Sequence, residues 1–239
     1  LLSFKAAQMD FSYKQYPKEV IIMVVRWYLA YPLSYRHVEE LAKERGIGLD
    51  HATVQRWVKE YSGQILAKVR RYNKNRFTDS WRLDETYIKV KGKWVYLYRM
   101  VDSDGETIDF YLSKIRDANA AKRCVSRSLR IAGFKPRKIN SDGSAANAKA
   151  VMMVNAELSP SEIGPARPIQ YTKVKYCNNI LEQDHRRVKR ITDPMLGFKN
   201  FEAATDTING IEAYAMLRKG QSVFATDNGR EVSIADQYY

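Results

Sequence analysis

Three acidic side chains stand at positions where acids seldom occur without a partner. Asp84 sits in the middle of a β-favouring run, between Leu83 and Thr86 with Glu85 beside it. Acids are depleted from strands, and a buried one needs a counter-charge or a metal. Asp142 ends Ile139-Asn140-Ser141-Asp142-Gly143, and Glu182 falls in the first turn of a basic helical stretch, in Asn178-Asn179-Ile180-Leu181-Glu182. If the two strands are neighbours and the helix begins beside them, the three carboxylates converge. Such hard oxygen donors suit Mg2+ or Mn2+. Two such ions roughly 4 Å apart activate an attacking oxygen and stabilise a leaving one in phosphodiester chemistry. Each acid also has a purely structural reading. Asp84 can pair with a Lys or Arg, and Asp142 can serve a turn or cap a helix before Gly143 and Ser144. Glu182 can complete a capping box with Asn179 or pair with Arg186 four residues on.

Neighbouring acids compete for these roles. Glu85 points to the opposite face of the strand from Asp84, so one of the two can face a site. Asp184, two residues after Glu182, points elsewhere on the helix. The helix continues Asp184-His185-Arg186-Arg187-Val188-Lys189-Arg190, and Arg186, Arg187, Lys189 and Arg190 are expected to clamp phosphates beside the carboxylates. A solvated charged face is the plainer alternative. The three histidines, His37, His51 and His185, lack zinc-ligand spacing, and His185 is a candidate proton carrier or DNA contact. No Gly-rich phosphate loop occurs, so no nucleotide cofactor is expected.

The elements that must position these residues can be read from periodicity. Val20, Val24, Trp27, Tyr28 and Tyr31 recur at helical spacing after Pro17, and Tyr31-Pro32 ends that helix. Ser34 opens a second helix carrying Val38, Leu41 and Ala42, broken at Gly46 and Gly48. Asp50 caps a third with Val54, Trp57, Val58 and Tyr61 inward. The last two form a helix-turn-helix pattern. On the third helix His51, Thr53, Gln55, Arg56 and Lys59 lie in the first turn or off the apolar stripe, as residues that read bases or touch phosphates would. Lys68, Arg70, Arg71, Lys74 and Arg76 follow with no acid between Glu60 and Asp79, which predicts a basic linker in which Arg70 and Arg71 track a DNA backbone.

From Trp81 the pattern alternates. Strands are expected over 82–90, 93–102 and 107–113, a helix from the Asp117 cap to about Ile131, and a strand over 137–141. A helix over 145–158 follows, then a loop marked by Pro160, Gly164 and Pro165, a strand over 168–174, and helices over 179–191 and 201–217. Three strands, helix, strand, helix, strand, helix is an α/β arrangement in the order of the ribonuclease H-like fold. The predicted organisation is a helix-turn-helix domain (1–65), a basic linker (66–79), a catalytic domain (80–200) and a C-terminal helix and tail (201–239).

Composition agrees with that organisation. Among 239 residues, 40 are Lys or Arg and 27 Asp or Glu, and the resulting charge of +13 points to a polyanionic partner, nucleic acid foremost. Cys124 and Cys177 form neither a disulfide framework nor a zinc knuckle, as suits a reducing cytoplasm. The most apolar run, 20–30, is too short to span a bilayer and contains Arg26, so no membrane partner is expected. No signal peptide is visible, and a first residue of Leu1 rather than Met predicts a start that is missing or processed.

Long strings then become specific. They include Val25-Arg26-Trp27-Tyr28, Leu33-Ser34-Tyr35-Arg36, the run from Trp81 through Asp84 to Trp94, Tyr96-Leu97-Tyr98-Arg99, Asn178 through His185, Leu196-Gly197-Phe198-Lys199 and Arg218-Lys219-Gly220-Gln221. Through them the chain resembles the IS6-type (IS26/IS240-like) insertion-sequence transposases, from about Phe4 to Gln221. The resemblance implies a DDE triad at Asp84, Asp142 and Glu182, an integrase-like ribonuclease H core, and divalent metal, two ions of Mg2+ or Mn2+. It further implies a helix-turn-helix bound to terminal inverted repeats, 3′-end cleavage, and strand transfer to a co-integrate without a covalent protein–DNA intermediate. Double-stranded DNA and a homo-oligomer on it are the expected partners, because transposition joins two ends. One stretch departs. Relatives carry a Lys or similar residue and then Pro-Ala-Tyr after the second Asp, whereas this chain reads Gly143-Ser144-Ala145-Ala146-Asn147. That departure leaves open a catalytically impaired relic that binds DNA alone. A ribonuclease H-like nuclease acting on other nucleic acids is a further alternative.

Overall fold

The computed structural model describes residues 9–158, 167–227 and 230–231. The turn residues Pro160, Gly164 and Pro165 lie outside them. In chain order the helices are α1 (Lys18–Ala30), α2 (Tyr35–Lys43), α3 (His51–Arg71), α4 (Ala118–Ala132), α5 (Ala145–Glu157), α6 (Asn179–Thr192) and α7 (Phe201–Arg218). The strands are β1 (Ser80–Val90), β2 (Lys93–Asp102), β3 (Thr107–Ser113), β4 (Lys138–Asn140) and β5 (Gln170–Thr172), with a small hairpin of Thr226–Asp227 and Arg230–Glu231. The chain divides into two compact units: Leu1–Lys74 together with Arg190–Tyr239, and Asn75–Lys189.

The first unit is helical. Pro17 precedes α1, where its missing N–H costs nothing, and Tyr31 turns extended before Pro32. Ser34 Oγ accepts the His37 N–H at 3.1 Å while His37 Nδ1 accepts the Ser34 N–H at 3.3 Å, a reciprocal cap on α2. Asp50 Oδ1 accepts the Thr53 N–H at 2.6 Å and opens α3. Between them Gly46 adopts φ 72°, which ends α2.

The expected linker over 66–79 is helical through Arg71. The reason is packing: Ile65, Leu66 and Val69 continue the buried stripe of α3, and α7 lies along that helix. Beyond it, the Lys74 N–H donates to the Gln221 carbonyl at 2.9 Å and Asn73 bridges to Ser222, so the exit of α3 is tied to the segment after α7. The C-terminal helix therefore belongs to the N-terminal unit. Helices α1, α3 and α7 meet closely at one point. A Cβ on Gly210 would lie 2.5 Å from Leu29 Cδ1 and 2.8 Å from Ser62 Oγ.

The second unit is a five-stranded sheet in the order β3-β2-β1-β4-β5. β1, β2 and β3 form the antiparallel meander, and β4 and β5 add in parallel beyond β1. This is the strand order of a ribonuclease H-like core. Asp117 Oδ1 accepts the Ala120 N–H at 2.8 Å to start α4, and Gly133, at φ 73°, ends it. Helices α4 and α5 bury Cys124, Val125, Leu129, Val151 and Val154 against Trp81, Leu83, Tyr98, Met100 and Ile139 of one sheet face.

The helix crossing gives a paired test in urea denaturation. Gly210→Ala must push aside Leu29 and Ser62, and is expected to destabilise the first unit by about 1–3 kcal/mol. Gly63→Ala, on α3 with nothing within 4 Å of its added methyl, is expected to stabilise it by about 0.4–1 kcal/mol.

Candidate active site

Alternation along β1 sends Asp84 and Glu85 to opposite faces of the sheet. Glu85 faces the side of α4 and α5. Its carboxylate lies 2.6 Å from the Arg116 guanidinium and accepts from Asn147 Nδ2 at 3.2 Å. Asp84 faces the other side, directly across from Arg99 on β2. Its Oδ1 accepts the Glu85 N–H at 2.9 Å, and it has no cationic partner among the described residues. Burial first, and then the charge of Asp142, push the Asp84 carboxyl up to about 7, with smaller contributions from Glu85 and Glu182.

Asp142 follows β4, the parallel neighbour of β1. Its Oδ1 accepts the Ser144 N–H at 3.0 Å and the Ser141 hydroxyl at 3.1 Å. The same hydroxyl accepts from Asn147 at 3.0 Å, so Glu85, Asn147, Ser141 and Asp142 form one chain of contacts across the end of β4. Gly143 holds φ 105°, a backbone shape that suits glycine and strains a Lys. The cation absent there in sequence has a neighbour in space. The Lys173 side chain passes 3.8 Å from where a Gly143 Cβ would lie.

Glu182 is exposed in the first turn of α6, with Arg186 Nε 3.4 Å away. The helix is fastened from beneath. Arg82 Nε donates to the Cys177 carbonyl at 3.1 Å, and Asn140 Nδ2 donates to Asn178 Oδ1 at 2.8 Å. These bonds fix the turn before α6 to β1 and β4. Further along the helix, Asp184 is buried and accepts from Arg99 at 3.1 Å, with Arg187 3.4 Å away. Arg99, 1% exposed, lies on the face of the sheet that carries Asp84.

The three candidate acids thus share one region of one unit, and Asp84 feels the charge of both others. Their donor chemistry fits a divalent cation: a half-buried carboxylate with an unmet charge, a second beside it, and a third on a helix that can leave its exposed arginine. Among the described residues no three such groups are gathered closely enough to grip one ion as they stand.

One expectation for α6 needs correction. His185 is buried, and burial together with Arg99 holds its imidazole down at about 3, so it is neutral and is no cationic DNA contact. Arg187 lies 3.4 Å from buried Asp184, Arg186 and Arg190 are exposed and Lys189 is half-buried. In the helical unit Gln55 and Arg56 are exposed on α3, and Arg56 donates to Thr53 Oγ1 at 2.7 Å. His51 engages Glu39 at 2.9 Å and Lys59 pairs with Glu202 at 3.0 Å. Arg70 is half-buried, whereas Arg71 is exposed over the Tyr72 ring. Sequence reading misses Arg99, Arg116 and Asn147. The alternation that separates Asp84 from Glu85 also puts Arg99 on Asp84's face, once the β1–β2 register is known.

Residues 78–221 match the DDE domain of IS240-type transposases. The transposase of the insertion sequence-like element IS431mec of Staphylococcus aureus is 38% identical over 229 residues, 94% of this chain and 97% of that protein. The transposase of element IS257 in transposon Tn4003, also from Staphylococcus aureus, is 37% identical over the same length. A more distant likeness joins 57% of this chain to 84% of the HTLV-2 integrase catalytic core domain in complex with magnesium, at 14% identity and a TM-score of 0.43.

Two stability measurements follow from the geometry. Asp184→Ala takes the carboxylate from buried Arg99 and is expected to cost about 3–5 kcal/mol in denaturant unfolding. Glu182→Ala removes one exposed i,i+4 pair and is expected to change stability by less than about 0.5 kcal/mol. The raised Asp84 carboxyl sets a pH dependence for the metal-free protein. Between about pH 4 and 7 the folded state holds a proton that the unfolded state has lost, so stability falls as pH rises through that window. Asp84→Asn is expected to match wild type near pH 4 and to exceed it above pH 7 by on the order of 1–3 kcal/mol. Thermal melts in EDTA across that range would detect the crossover.

Proposed function

The chain belongs to the IS6 family of insertion-sequence transposases, with a DDE domain of the IS240 type, and from that premise we propose that Asp84, Asp142 and Glu182 are its catalytic carboxylates and hold two Mg2+ or Mn2+ ions. It is a polynucleotidyl transferase, and a DDE domain works with divalent metal. The observation that carries the assignment is Asp84: largely shielded from solvent, without a cationic partner among the described residues, and raised by burial and by its carboxylate neighbours. The bound cation supplies Lewis-acid stabilisation of charge on the phosphoryl oxygens.

The protein's own groups do the positioning. The Arg99–Asp184 pair and the Asn140–Asn178 bond hold the start of α6 against the sheet, which sets where Glu182 stands relative to Asp84. Asp84 would hold a cation as a carboxylate, so the proton that its raised pKa retains would have to leave for it to do so. In the proposed reaction a water oxygen attacks the phosphorus at the element's 3′ end and the P–O3′ bond breaks, which frees the element's 3′-hydroxyl and leaves the phosphate on the flanking strand. The freed 3′-hydroxyl then attacks a target phosphodiester, joining one strand and releasing another, with a co-integrate as the product. Exposed Arg186 and half-buried Lys189 stand one and two turns after Glu182, as phosphate contacts would. The Lys173 stem runs beside Gly143, next in sequence to Asp142, and is a candidate for the cation expected near that position. Asn147 is built into the contacts of Glu85 and Ser141, which supports a working site over a decayed one.

The helical unit is proposed to read the terminal inverted repeats in duplex DNA with Gln55 and Arg56 on α3, supported at phosphates by Thr53, His51 and Lys59. Oligomerisation on DNA would bring two ends together. Among the described residues no helix is long and apolar enough to cross a membrane, and the proposed setting is the cytoplasm, on nucleoid DNA.

The test is a labelled duplex carrying the flanking inverted repeat, incubated with Mg2+ or Mn2+. Asp84→Asn, Asp142→Asn and Glu182→Gln are each expected to lose at least about a thousandfold in nicking and strand transfer while binding the duplex within a few-fold of wild type. Nicking at the wild-type rate in any of the three would remove that residue from the triad. Arg56→Ala is expected to weaken repeat binding by about 5- to 150-fold, read by gel shift.

A further inference from the structure

The end of the β1–β2 hairpin carries a feature that the chemistry at Asp84 does not use. On the face that carries Glu85, cross-strand pairs run Glu85–Tyr98, then Tyr87–Tyr96, then Lys89–Trp94. The first pair is covered by the core of α4 and α5. Tyr96 still packs against that core, while Tyr87, Lys89 and Trp94 extend past it. Tyr87 is 41% and Trp94 58% exposed, and Trp94 is the most exposed of the four tryptophans. The rings are ordered against one another. The Tyr87 centroid lies 6.0 Å from Trp94 and 5.5 Å from Tyr96, both edge-on. On the opposite face of the same strands Ile88, Val90 and Val95 are buried, so the hairpin is not a solvated flap with polar sides.

The exposed charge along the hairpin has one sign. No acid occurs between Glu85 and Asp102, while Lys89, Lys91 and Lys93 are all exposed. The Arg116 guanidinium lies 6.0 Å from the Tyr87 centroid, and its own carboxylate partner, Glu85, is buried. An exposed aromatic group costs hydration free energy unless something covers it. Lysines around it repel basic partners and a second copy of the same face, and attract a polyanion. Aromatic faces among cations are what unpaired bases stack upon, with the backbone phosphates neutralised alongside.

We propose that Tyr87 and Trp94, flanked by Lys89, Lys93 and Arg116, form a stacking site for unpaired nucleotides of single-stranded DNA, separate from the helix-turn-helix and from the carboxylates. The proposal rests on the transposase reading, in which a nick at the element's 3′ end frees one strand there to part from the duplex. A base on Trp94 would hold such a strand out of the duplex. Tyr87 shares strand β1 with Asp84, on the opposite face of the sheet.

The experiment uses the full chain and two probes: a fluorescein-labelled oligothymidylate, and a blunt duplex of the inverted repeat. Binding is followed by anisotropy and by quenching of tryptophan emission, in metal-free buffer. Trp94→Ala and Tyr87→Ala are each expected to weaken oligothymidylate binding by about 5- to 50-fold, and Trp94→Phe to restore most of it. Blunt-duplex binding should stay within about twofold of wild type, since these side chains do not read bases in a groove. Replacing Lys89 and Lys93 with Gln should lower the salt slope for the oligonucleotide by roughly one to two. Oligothymidylate binding unchanged in both alanine variants, with duplex binding intact, overturns the stacking site and leaves the transposase reading standing. A wild-type chain that binds neither probe overturns both. An alanine variant that dissociates an oligomer in sedimentation without changing oligonucleotide affinity shows the patch to be a contact between copies, which also overturns the proposal. Equal thermal melts of the variants and wild type establish that folding is unchanged.

Discussion

Negative charge on a central strand governs this structure. β1 lies in the middle of the sheet, between β2 and β4, and carries two carboxylates in succession. A buried ionised carboxylate is costly unless something answers its charge. The strand's alternation separates the two and the protein treats them differently. Glu85 receives Arg116 and an amide from Asn147, and is closed into the side of the sheet under α4 and α5. Asp84 receives a single backbone N–H and the repulsion of Asp142. The arginine directly across from it, Arg99, gives its guanidinium to Asp184 instead. The charge that would have silenced Asp84 is used to fasten α6, the helix that carries Glu182.

That division explains why the site depends on residues remote from it in sequence. α6 is positioned by three kinds of contact: a buried ion pair from β2, a guanidinium from β1 on the carbonyl of Cys177, and an amide from β4 on Asn178. Each comes from a different strand, so the helix start has a defined place over the sheet. The exposed flank of α6 is then free to carry Glu182 and Arg186, while the buried flank carries Asp184 and His185. A histidine in that setting serves packing, since its charged form would be unsolvated and beside Arg99.

Much of this is legible in the sequence, for identifiable reasons. Helix starts at Ser34, Asp50 and Asp117 can be read because side-chain caps are local. The succession of strands and helices can be read from the pattern, though not that β4 lies beside β1, and the opposite faces of Asp84 and Glu85 follow from period-two alternation. The extent of α3 is not legible. Lys68, Arg70 and Arg71 resemble a solvated linker because their charge masks Ile65, Leu66 and Val69, whose burial depends on α7, well over a hundred residues downstream. Arg99 and Arg187 escape for a related reason. Their partner is Asp184, and no local pattern shows that an acid on a basic helix points inward. Asn147 reads as a loss against its relatives, and its bonds to Glu85 and Ser141 emerge only when β1, β4 and α5 are brought together.

The assignment of α7 to the first unit has a consequence for synthesis. α1 and α3 are made long before α7, yet the surface they turn toward Gly210 remains uncovered until residues 201–218 have been made. At ordinary elongation rates that interval is on the order of ten seconds. The sheet unit, contiguous from Asn75 to Lys189, is complete before then. A nascent or prematurely terminated chain therefore carries a finished sheet with its acids and an unfinished helical head. Translation through α7 becomes a condition for a closed helical unit, and products that end before it leave the apolar stripe of α3 uncovered.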